Sequence, residues 1–314
     1  MRPLVTITGG SGFVGQGLRP ALREAGWRVG VYDPYRGPLV DLVRRRYLAA
    51  SPDGRARRGA AQVRSAQQRA ERELLRARVI RPTGDDILSG REAIASALAG
   101  SHAVLHLAGI PHPHQPGAQP ADFQRLNYDA SIEVYEAARL AGVRTFVFAS
   151  SAQVYRIDMM RWVASFPIRE DHPLPFPSEG QTTYGFLKAA FERYLEGRST
   201  SGELQAIAVR LEYPGFLSDW EHNHYVSTSV ENLVAGVGCA LRPPDDIGFG
   251  AFNLCDAEVH PAVADVQAYL ARRWPYVPNH TTGNQSLLST EKAQRVLGYA
   301  PVPGGRYCAA GLVW

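Results

Sequence analysis

Short runs of apolar and β-branched residues alternate along the chain with longer segments in which apolar residues recur at helical spacing. The runs at residues 3–8, 27–32, 103–109 and 145–150 predict buried strands, and helical patterns lie between them. Alternation of this kind is typical of a parallel sheet that is covered by helices on both faces. We therefore predict an α/β fold with a Rossmann-type, doubly wound parallel sheet.

A glycine-rich turn joins the first predicted strand to the first predicted helix, in the order Gly9-Gly10-Ser11-Gly12-Phe13-Val14-Gly15. Gly10, Gly12 and Gly15 fit G-x-G-x-x-G, and Gly9 replaces Gly10 in a wider version of the pattern. Between a strand and a helix this pattern predicts a dinucleotide site, because glycine lets the pyrophosphate approach the backbone and the helix N-terminus faces the phosphates. An ordinary glycine turn is the alternative.

Three other segments are predicted to line the cofactor. Asp33 lies about 20 residues past the glycines, where an acid binds the adenosine ribose. This favours NAD, whereas Arg36 close by keeps NADP as the weaker alternative. Asp85 could meet the adenine, and the run Leu107-Ala108-Gly109 lets the cofactor lie against the backbone.

Tyr184 and Lys188 carry the predicted chemistry, since two residues four apart on a helix lie on one face. An ammonium about 4 Å from a phenol, at an effective dielectric near 20, favours the phenolate by roughly 4 kcal/mol and brings its pKa from about 10 to about 7. The pair therefore predicts a general base tuned by its neighbour. The chain has only two lysines, Lys188 and Lys292, among 34 basic residues, which indicates that an ammonium is needed here. A chance pairing is the alternative.

A serine pair, Ser150 and Ser151, stands at the end of the strand predicted at 145–150. A hydroxyl at this position can hydrogen-bond a substrate oxygen beside the tyrosine. A simple turn pair is the alternative, and the distance of each hydroxyl from Tyr184 decides between them.

Four histidines lie on or near the strand predicted at 103–109: His102, His106, His112 and His114. They suggest a metal site, but no cysteine or carboxylate cluster accompanies them, so we predict no metal. We expect instead that the proline-rich loop 110–116 borders the substrate pocket, with His112 or His114 facing the substrate.

Positive charge is concentrated in one segment of the chain. Residues 41–80 carry eleven arginines against four acidic residues, a balance of +7, whereas the whole chain has a net charge of +4. Most of this charge lies in a predicted insertion, residues 37–78. We interpret its residues 60–78 as a solvated surface helix, with a lid or docking element as the alternative. No nucleic-acid motif accompanies it, so we predict no nucleic-acid partner.

The remaining composition indicates a reduced protein. Cys239, Cys255 and Cys308 are odd in number and widely spaced, which fits neither a disulfide framework nor a metal pattern. No segment approaches the length of a membrane span, and the N-terminus carries no signal region. We expect a cytoplasmic location and no membrane partner.

The motifs, in this order, resemble the extended short-chain dehydrogenase/reductases, also called the NAD-dependent epimerase/dehydratase family. The resemblance covers nearly the whole chain apart from residues 37–78. Its matching stretches are residues 8–15, Asp33, 84–85, 106–109, Asn127, 148–155, 184–188, 210–211 and 291–299.

The resemblance implies roles for individual residues. It makes Tyr184 the base, Lys188 its tuner and a ribose ligand, Ser151 the partner of a substrate hydroxyl, and Asn127 a helix-embedded supporting residue. It also implies a homodimer through helices near residues 123–141 and 184–198.

Departures from the family pattern narrow the expected reaction. Ala152 and Gln153 stand where dehydratases carry an Asp-Glu pair, which argues against dehydration. Only about fifteen residues, 211–225, stand where nucleotide-sugar epimerases insert a long substrate lobe. This compact layout looks more like uronate dehydrogenases, and Arg210 is a further candidate for holding substrate oxygens.

We therefore predict hydride transfer between NAD and a secondary alcohol or hemiacetal carbon of a small sugar-like substrate. A sugar or nucleotide-sugar epimerase with transient oxidation is the first alternative, and a non-catalytic dinucleotide sensor is the second. We divide the chain into an NAD-binding domain, residues 1–210, and a small substrate lobe, residues 211–314, interleaved with sheet elements near 229–254.

Overall fold

The computed structural model describes most of the chain, and the described residues are 2–34, 84–111, 118–155, 163–174, 183–199, 204–212, 214–215, 226–259 and 265–307. The predicted insertion at 37–78, and His112 and His114, lie outside these residues.

The described strands are β1 (Leu4–Thr8), β2 (Arg28–Tyr32), β3 (Ala103–His106), β4 (Thr145–Ser151), β5 (Gln205–Leu211) and β6 (Phe249–Leu254). They form one parallel sheet in the order β2-β1-β3-β4-β5-β6. The predicted parallel α/β architecture is confirmed. β3 ends at His106, earlier than the predicted run 103–109, because the chain leaves the sheet before the turn at Gly109, where φ is +132°.

The described helices are α1 (Phe13–Glu24), α2 (Arg91–Leu98), α3 (Pro120–Phe123), α4 (Ala130–Leu140), α5 (Thr183–Arg198), α6 (Val230–Ala240), α7 (Val266–Arg273) and α8 (Glu291–Leu297). A π-helical turn, Gln124–Asp129, joins α3 to α4. None of these helices combines the length and apolar character that a membrane crossing requires.

Buried side chains cover both faces of the sheet, as the continuous apolar runs predict. On one face, α1, α6 and α8 pack against residues such as Val147. On the other face, α2, α4 and α5 pack against Phe146 and Phe148. Successive residues of β4 therefore point into two different cores, which is the doubly wound arrangement.

The order of the strands creates a crevice at the carboxyl edge of the sheet. β1 lies between β2 and β3. The helix that follows β1 (α1) covers one face of the sheet and the helix that follows β3 (α4) covers the other, so the two connections leave the sheet in opposite directions. Thr8, the last residue of β1, is in register with Tyr32 and with His106. The segments after all three strands consequently meet at one switch point, which is where ligands bind in open α/β sheets.

A third apolar cluster lies apart from the two that cover the sheet. It combines the 3₁₀ turn Ala152–Tyr155 with residues of the segments 163–168 and 287–288 and with α7. Bridges from Phe166 to Asn279 and from Ile168 to Leu288 join these segments. β6, which lies in the second predicted domain, is an edge strand of the same sheet as β1 to β5. The domain boundary at residue 210 stays a prediction.

We expect Gly15→Ala to destabilise the protein by about 1 to 3 kcal/mol, the usual cost of overpacking. A Cβ at Gly15 would lie 2.6 to 2.8 Å from backbone atoms of Gly10, so α1 would have to move away from the glycine turn. The measurement is the free energy of unfolding in urea.

Gly238→Ala, in α6, is the matched control. Nothing lies within 4 Å of a Cβ at Gly238, so alanine there should stabilise the helix by up to about 1 kcal/mol. Equal effects of the two substitutions would contradict the close packing at Gly15.

Candidate active site

The glycine turn is held between the ends of β2 and β3. Gly9 has a φ of +69° and donates its N–H to the carbonyl of Tyr32 at 3.1 Å. A Cβ at Gly9 would lie 2.8 Å from the backbone nitrogen of Ala108, so no other residue fits. Gly12 precedes α1 in an extended conformation and gives the helix no side-chain cap, which leaves its N-terminus open toward an anion.

Two polar groups beside this turn fit a dinucleotide. The Ser11 hydroxyl is fully buried and has no hydrogen-bond partner among the described residues. The Ser11 N–H donates to the buried carboxylate of Asp33, at the end of β2, at 3.2 Å. Because a buried hydroxyl without a partner is costly, its presence here supports the view that the turn receives a polar ligand.

The other predicted cofactor residues surround the same crevice. Phe13 and Val14 begin α1, and Val14 packs against the core. Asp85 acts electrostatically on Tyr32, whose hydroxyl donates to the carbonyl of Asp86 at 2.9 Å. These positions place Asp85 near the end of β2, as an adenine contact requires.

Asn127 fixes the loop that follows β3. It is buried in the π-helical turn, where its Oδ1 accepts the N–H of Ile110 at 2.7 Å and its Nδ2 donates to the Ile110 carbonyl at 3.0 Å. A Cβ at Gly109 would lie 2.8 Å from that Oδ1. Asn127 thus holds the backbone of Leu107, Ala108 and Gly109 beside the glycine turn.

His106 links the end of β1 to α4 through hydrogen bonds and is not arranged as a metal ligand. Its Nδ1 lies 2.7 Å from the Thr8 hydroxyl and its Nε2 lies 2.9 Å from the Ser131 hydroxyl. Burial, and after it the charge of Lys188, lower the pKa of His106 to about 3, so the ring is neutral. Among the described residues no three His, Cys, Asp or Glu side chains are grouped to hold a metal.

The two serines at the end of β4 have different partners. The Ser151 hydroxyl lies close enough to the phenol of Tyr184 to lower its pKa, whereas the Ser150 hydroxyl donates to Glu192 at 2.5 Å. Alternation along the strand sends adjacent side chains to opposite sides. Ser151, therefore, is the member of the pair that stands beside the tyrosine.

Lys188 lies one turn after Tyr184 and is 7 % exposed. Its Nζ donates to the carbonyl of Ala149 at 2.8 Å, lies 4.5 Å from the ring centre of Phe148, and lies 5.7 Å from that of Tyr184. Burial lowers the pKa of Lys188 to about 7, while the charge of Glu192 acts in the opposite direction.

The pKa of Tyr184 shifts in the direction opposite to the one expected. Burial raises it, the charge of Glu212 raises it further, and the hydrogen bond from Ser151 lowers it. The expectation that Lys188 brings this pKa to about 7 is therefore corrected: the burial that makes the phenolate costly also weakens the charge on the ammonium.

Arg210, expected to hold substrate oxygens, lies in a buried ion pair. Its Nη2 donates to Glu192 at 2.7 Å, and its Nη1 donates to the hydroxyl of Tyr155 at 2.5 Å and to the carbonyl of Glu170 at 3.4 Å. The charge of Glu192 raises the pKa of Arg210 against the effect of burial. Its expected contact with substrate oxygens stays a prediction.

Glu212 and Gln153 complete the site, although neither was predicted from the sequence to be a site residue. The Gln153 N–H donates to the Ser151 hydroxyl at 3.2 Å, and its Nε2 donates to Glu212 at 3.3 Å. Glu212 is buried directly after β5. The sequence did contain one indication of this role, because Glu212 comes two residues after Arg210, at the carboxyl end of a strand.

The model of the NAD dependent epimerase/dehydratase family matches residues 5–236. The chain belongs to this family. The match spans the glycine turn, Asn127, Ser151, Tyr184 and Lys188, and it confirms the family that these motifs predicted.

The region that matches this chain is only part of each curated relative. UDP-glucose 4-epimerase uge1 of Schizosaccharomyces pombe is 27% identical over 214 residues, which are 67% of this chain and 51% of that protein. The chain spans about half the length of the curated relatives it matches.

Solved structures with the same fold match nearly the whole chain. MoeE5 in complex with UDP-glucuronic acid and NAD has a TM-score of 0.60 at 21% identity, and the match covers 98% of this chain and 97% of MoeE5. A mutated uronate dehydrogenase has a TM-score of 0.59 at 18% identity, and the match covers 96% of this chain and 82% of that one. At these identities the likeness concerns the fold.

For this member of the family we expect Lys188→Met to change the pH dependence of stability. The folded pKa of about 7 lies below the ordinary value of 10.5, so the cost of burying the ammonium is full below pH 7 and disappears as the pH rises toward 10.5. As the pH rises from 6.5 to 9.5, the free energy of unfolding of the wild type should therefore increase relative to that of the variant. The increase should be several kcal/mol, since each pKa unit corresponds to about 1.4 kcal/mol. Urea unfolding at pH 6.5 and pH 9.5 measures this difference, and a constant difference would contradict the burial of a titrating ammonium.

Proposed function

We propose that the chain is an NAD-dependent oxidoreductase that transfers hydride between NAD and a secondary alcohol or hemiacetal carbon of a small sugar or sugar-derived substrate. The observation that carries this proposal is the proximity of Ser151, at the carboxyl end of β4, to the buried phenol of Tyr184, with the Lys188 Nζ 5.7 Å from the centre of the tyrosine ring. The glycine turn and Asp33 lie at the same edge.

The residues around the switch point would bind the cofactor. The glycine turn and the N-terminus of α1 would take the pyrophosphate, the segment after β3 would line the cofactor, and Lys188 would bind the ribose. Asp33 favours NAD over NADP, because a carboxylate accepts from the ribose hydroxyls and repels a 2′-phosphate. When bound, NAD supplies the hydride acceptor, and its oxidised ring is positively charged.

Tyr184 and Ser151 would handle the proton. In the reductive direction the protonated phenol, favoured by its raised pKa, donates to the carbonyl oxygen that the Ser151 hydroxyl also binds. In the oxidative direction the Tyr184 phenolate takes the proton of the alcohol hydroxyl while the carbon gives its hydride to NAD, and positive charge near the phenolate oxygen stabilises this anion.

Two net reactions share this half-reaction. The short segment 211–225 supports a dehydrogenase of a small substrate, which releases NADH. The similarity to a UDP-glucose 4-epimerase supports an epimerase, which returns the hydride to the opposite face. The homodimer and the cytoplasmic location implied by the sequence also stay predictions.

The net reaction is tested by incubating the protein with NAD and a panel of sugars while NADH absorbance is recorded. A dehydrogenase gives NADH in amounts equal to the product. Product formation without accumulating NADH would contradict the dehydrogenase and identify the epimerase.

The role of Tyr184 is tested with Tyr184→Phe, which removes the hydroxyl and keeps the ring. We expect turnover to fall at least about 100-fold, because a positioned acid–base group contributes that much or more, while NAD binding stays. Tyr194→Phe, on the same helix but with its hydroxyl on Glu136, should keep its activity. Full activity of Tyr184→Phe would overturn the proposed function.

A further inference from the structure

Glu212 lies beside the predicted reacting centre because of the register of the sheet. Leu211, the last residue of β5, is paired with Ser151, the last residue of β4. Glu212 therefore leaves the sheet next to Ser151, at the edge where Tyr184 also lies. The Glu212 carbonyl accepts the hydroxyl of Thr228 at 3.1 Å, which fixes this part of the backbone.

Gln153 joins the three side chains into one arrangement. Its N–H donates to the Ser151 hydroxyl and its side-chain amide donates to the Glu212 carboxylate. The first turn of α5 packs directly onto it, since a Cβ at Gly185 would lie 2.4 Å from the Gln153 carbonyl oxygen. A carboxylate, a hydroxyl and a phenol thus share one buried patch.

Glu212 is close enough to Tyr184 for its negative charge to raise the pKa of the phenol. A carboxylate only accepts hydrogen bonds, so it binds substrate hydroxyls and repels another carboxylate. In a site with little water this repulsion is stronger than it is in solution.

We propose that Glu212 selects a neutral, polyhydroxylated substrate, by accepting one of its hydroxyls near the reacting carbon and disfavouring a sugar acid. This inference rests on the proposed function, since it requires the reacting carbon to lie beside Tyr184. It separates the chain from enzymes that act on uronic acids, although the compact segment 211–225 resembles theirs.

The test compares matched substrates that differ in one charged group: galactose with galacturonate, and UDP-galactose with UDP-galacturonate. The wild type should prefer the neutral member of whichever pair it accepts. Glu212→Gln keeps the size of the side chain and an acceptor for Gln153 but removes the charge. We expect the ratio of kcat/KM for neutral over acidic substrate to fall at least tenfold, mainly through KM.

Glu258→Gln is the matched control, because Glu258 is exposed and undergoes the same chemical change. The ratio of kcat/KM for neutral over acidic substrate in Glu258→Gln should equal that of the wild type. Circular dichroism and NAD binding confirm that Glu212→Gln is folded, since a general structural defect would lower kcat/KM for both members of a pair and leave their ratio unchanged.

The outcomes separate this inference from the proposed function. A wild type that prefers the acidic member, or an unchanged ratio in Glu212→Gln, overturns the inference while turnover itself supports the proposed function. If neither pair is turned over, calorimetry in the presence of NAD measures the affinity for each compound, and the ratio of the neutral to the acidic affinity replaces the ratio of kcat/KM. Absence of both turnover and binding for all four compounds overturns the inference, and the Tyr184→Phe comparison then decides the proposed function separately.

Discussion

The hydrogen bond from the Lys188 ammonium to the carbonyl of Ala149 is the interaction on which the site depends, because it ties α5 to the carboxyl end of β4. Tyr184, Lys188 and Glu192 are spaced four apart and form a buried polar stripe on this helix. A buried polar group is costly unless it is paired. Each of the three has a partner on β4, so only one placement of the helix satisfies all of them.

This stripe distributes charge unevenly along the helix. Glu192 forms an ion pair with Arg210 at its inner end, whereas burial at the outer end favours the neutral forms of Lys188 and Tyr184. The ion pair is worth little as a source of stability, since desolvation offsets attraction, but removal of either partner leaves a buried charge. The outer end therefore responds strongly to any charge brought next to it, as Glu212 already illustrates.

Much of the fold could be predicted from the sequence because its causes are local. The apolar run around Phe146 to Phe148 is buried on both faces, and the spacing of Gly12 and Gly15 belongs to the turn itself. The π-helical turn at Asn127 was not visible, since the apolar pattern around it also fits an ordinary helix.

The properties of the site were harder to predict because they depend on distant residues. The pKa of Tyr184 depends on burial and on Glu212, which is far away along the chain. The ion pair of Arg210 could not be predicted, because its partner Glu192 lies on another element. Ser150 and Ser151 are equivalent in the sequence, and only the pleat of β4 distinguishes them.

The most direct test of the buried stripe is nuclear magnetic resonance of the protein with isotope-labelled lysine. The chain has only two lysines, and Lys188→Met assigns the signals. The account predicts that the Lys188 signal titrates with a pKa of about 7, because burial disfavours its charge. A Lys188 signal that titrates near the ordinary value of 10.5 would contradict it.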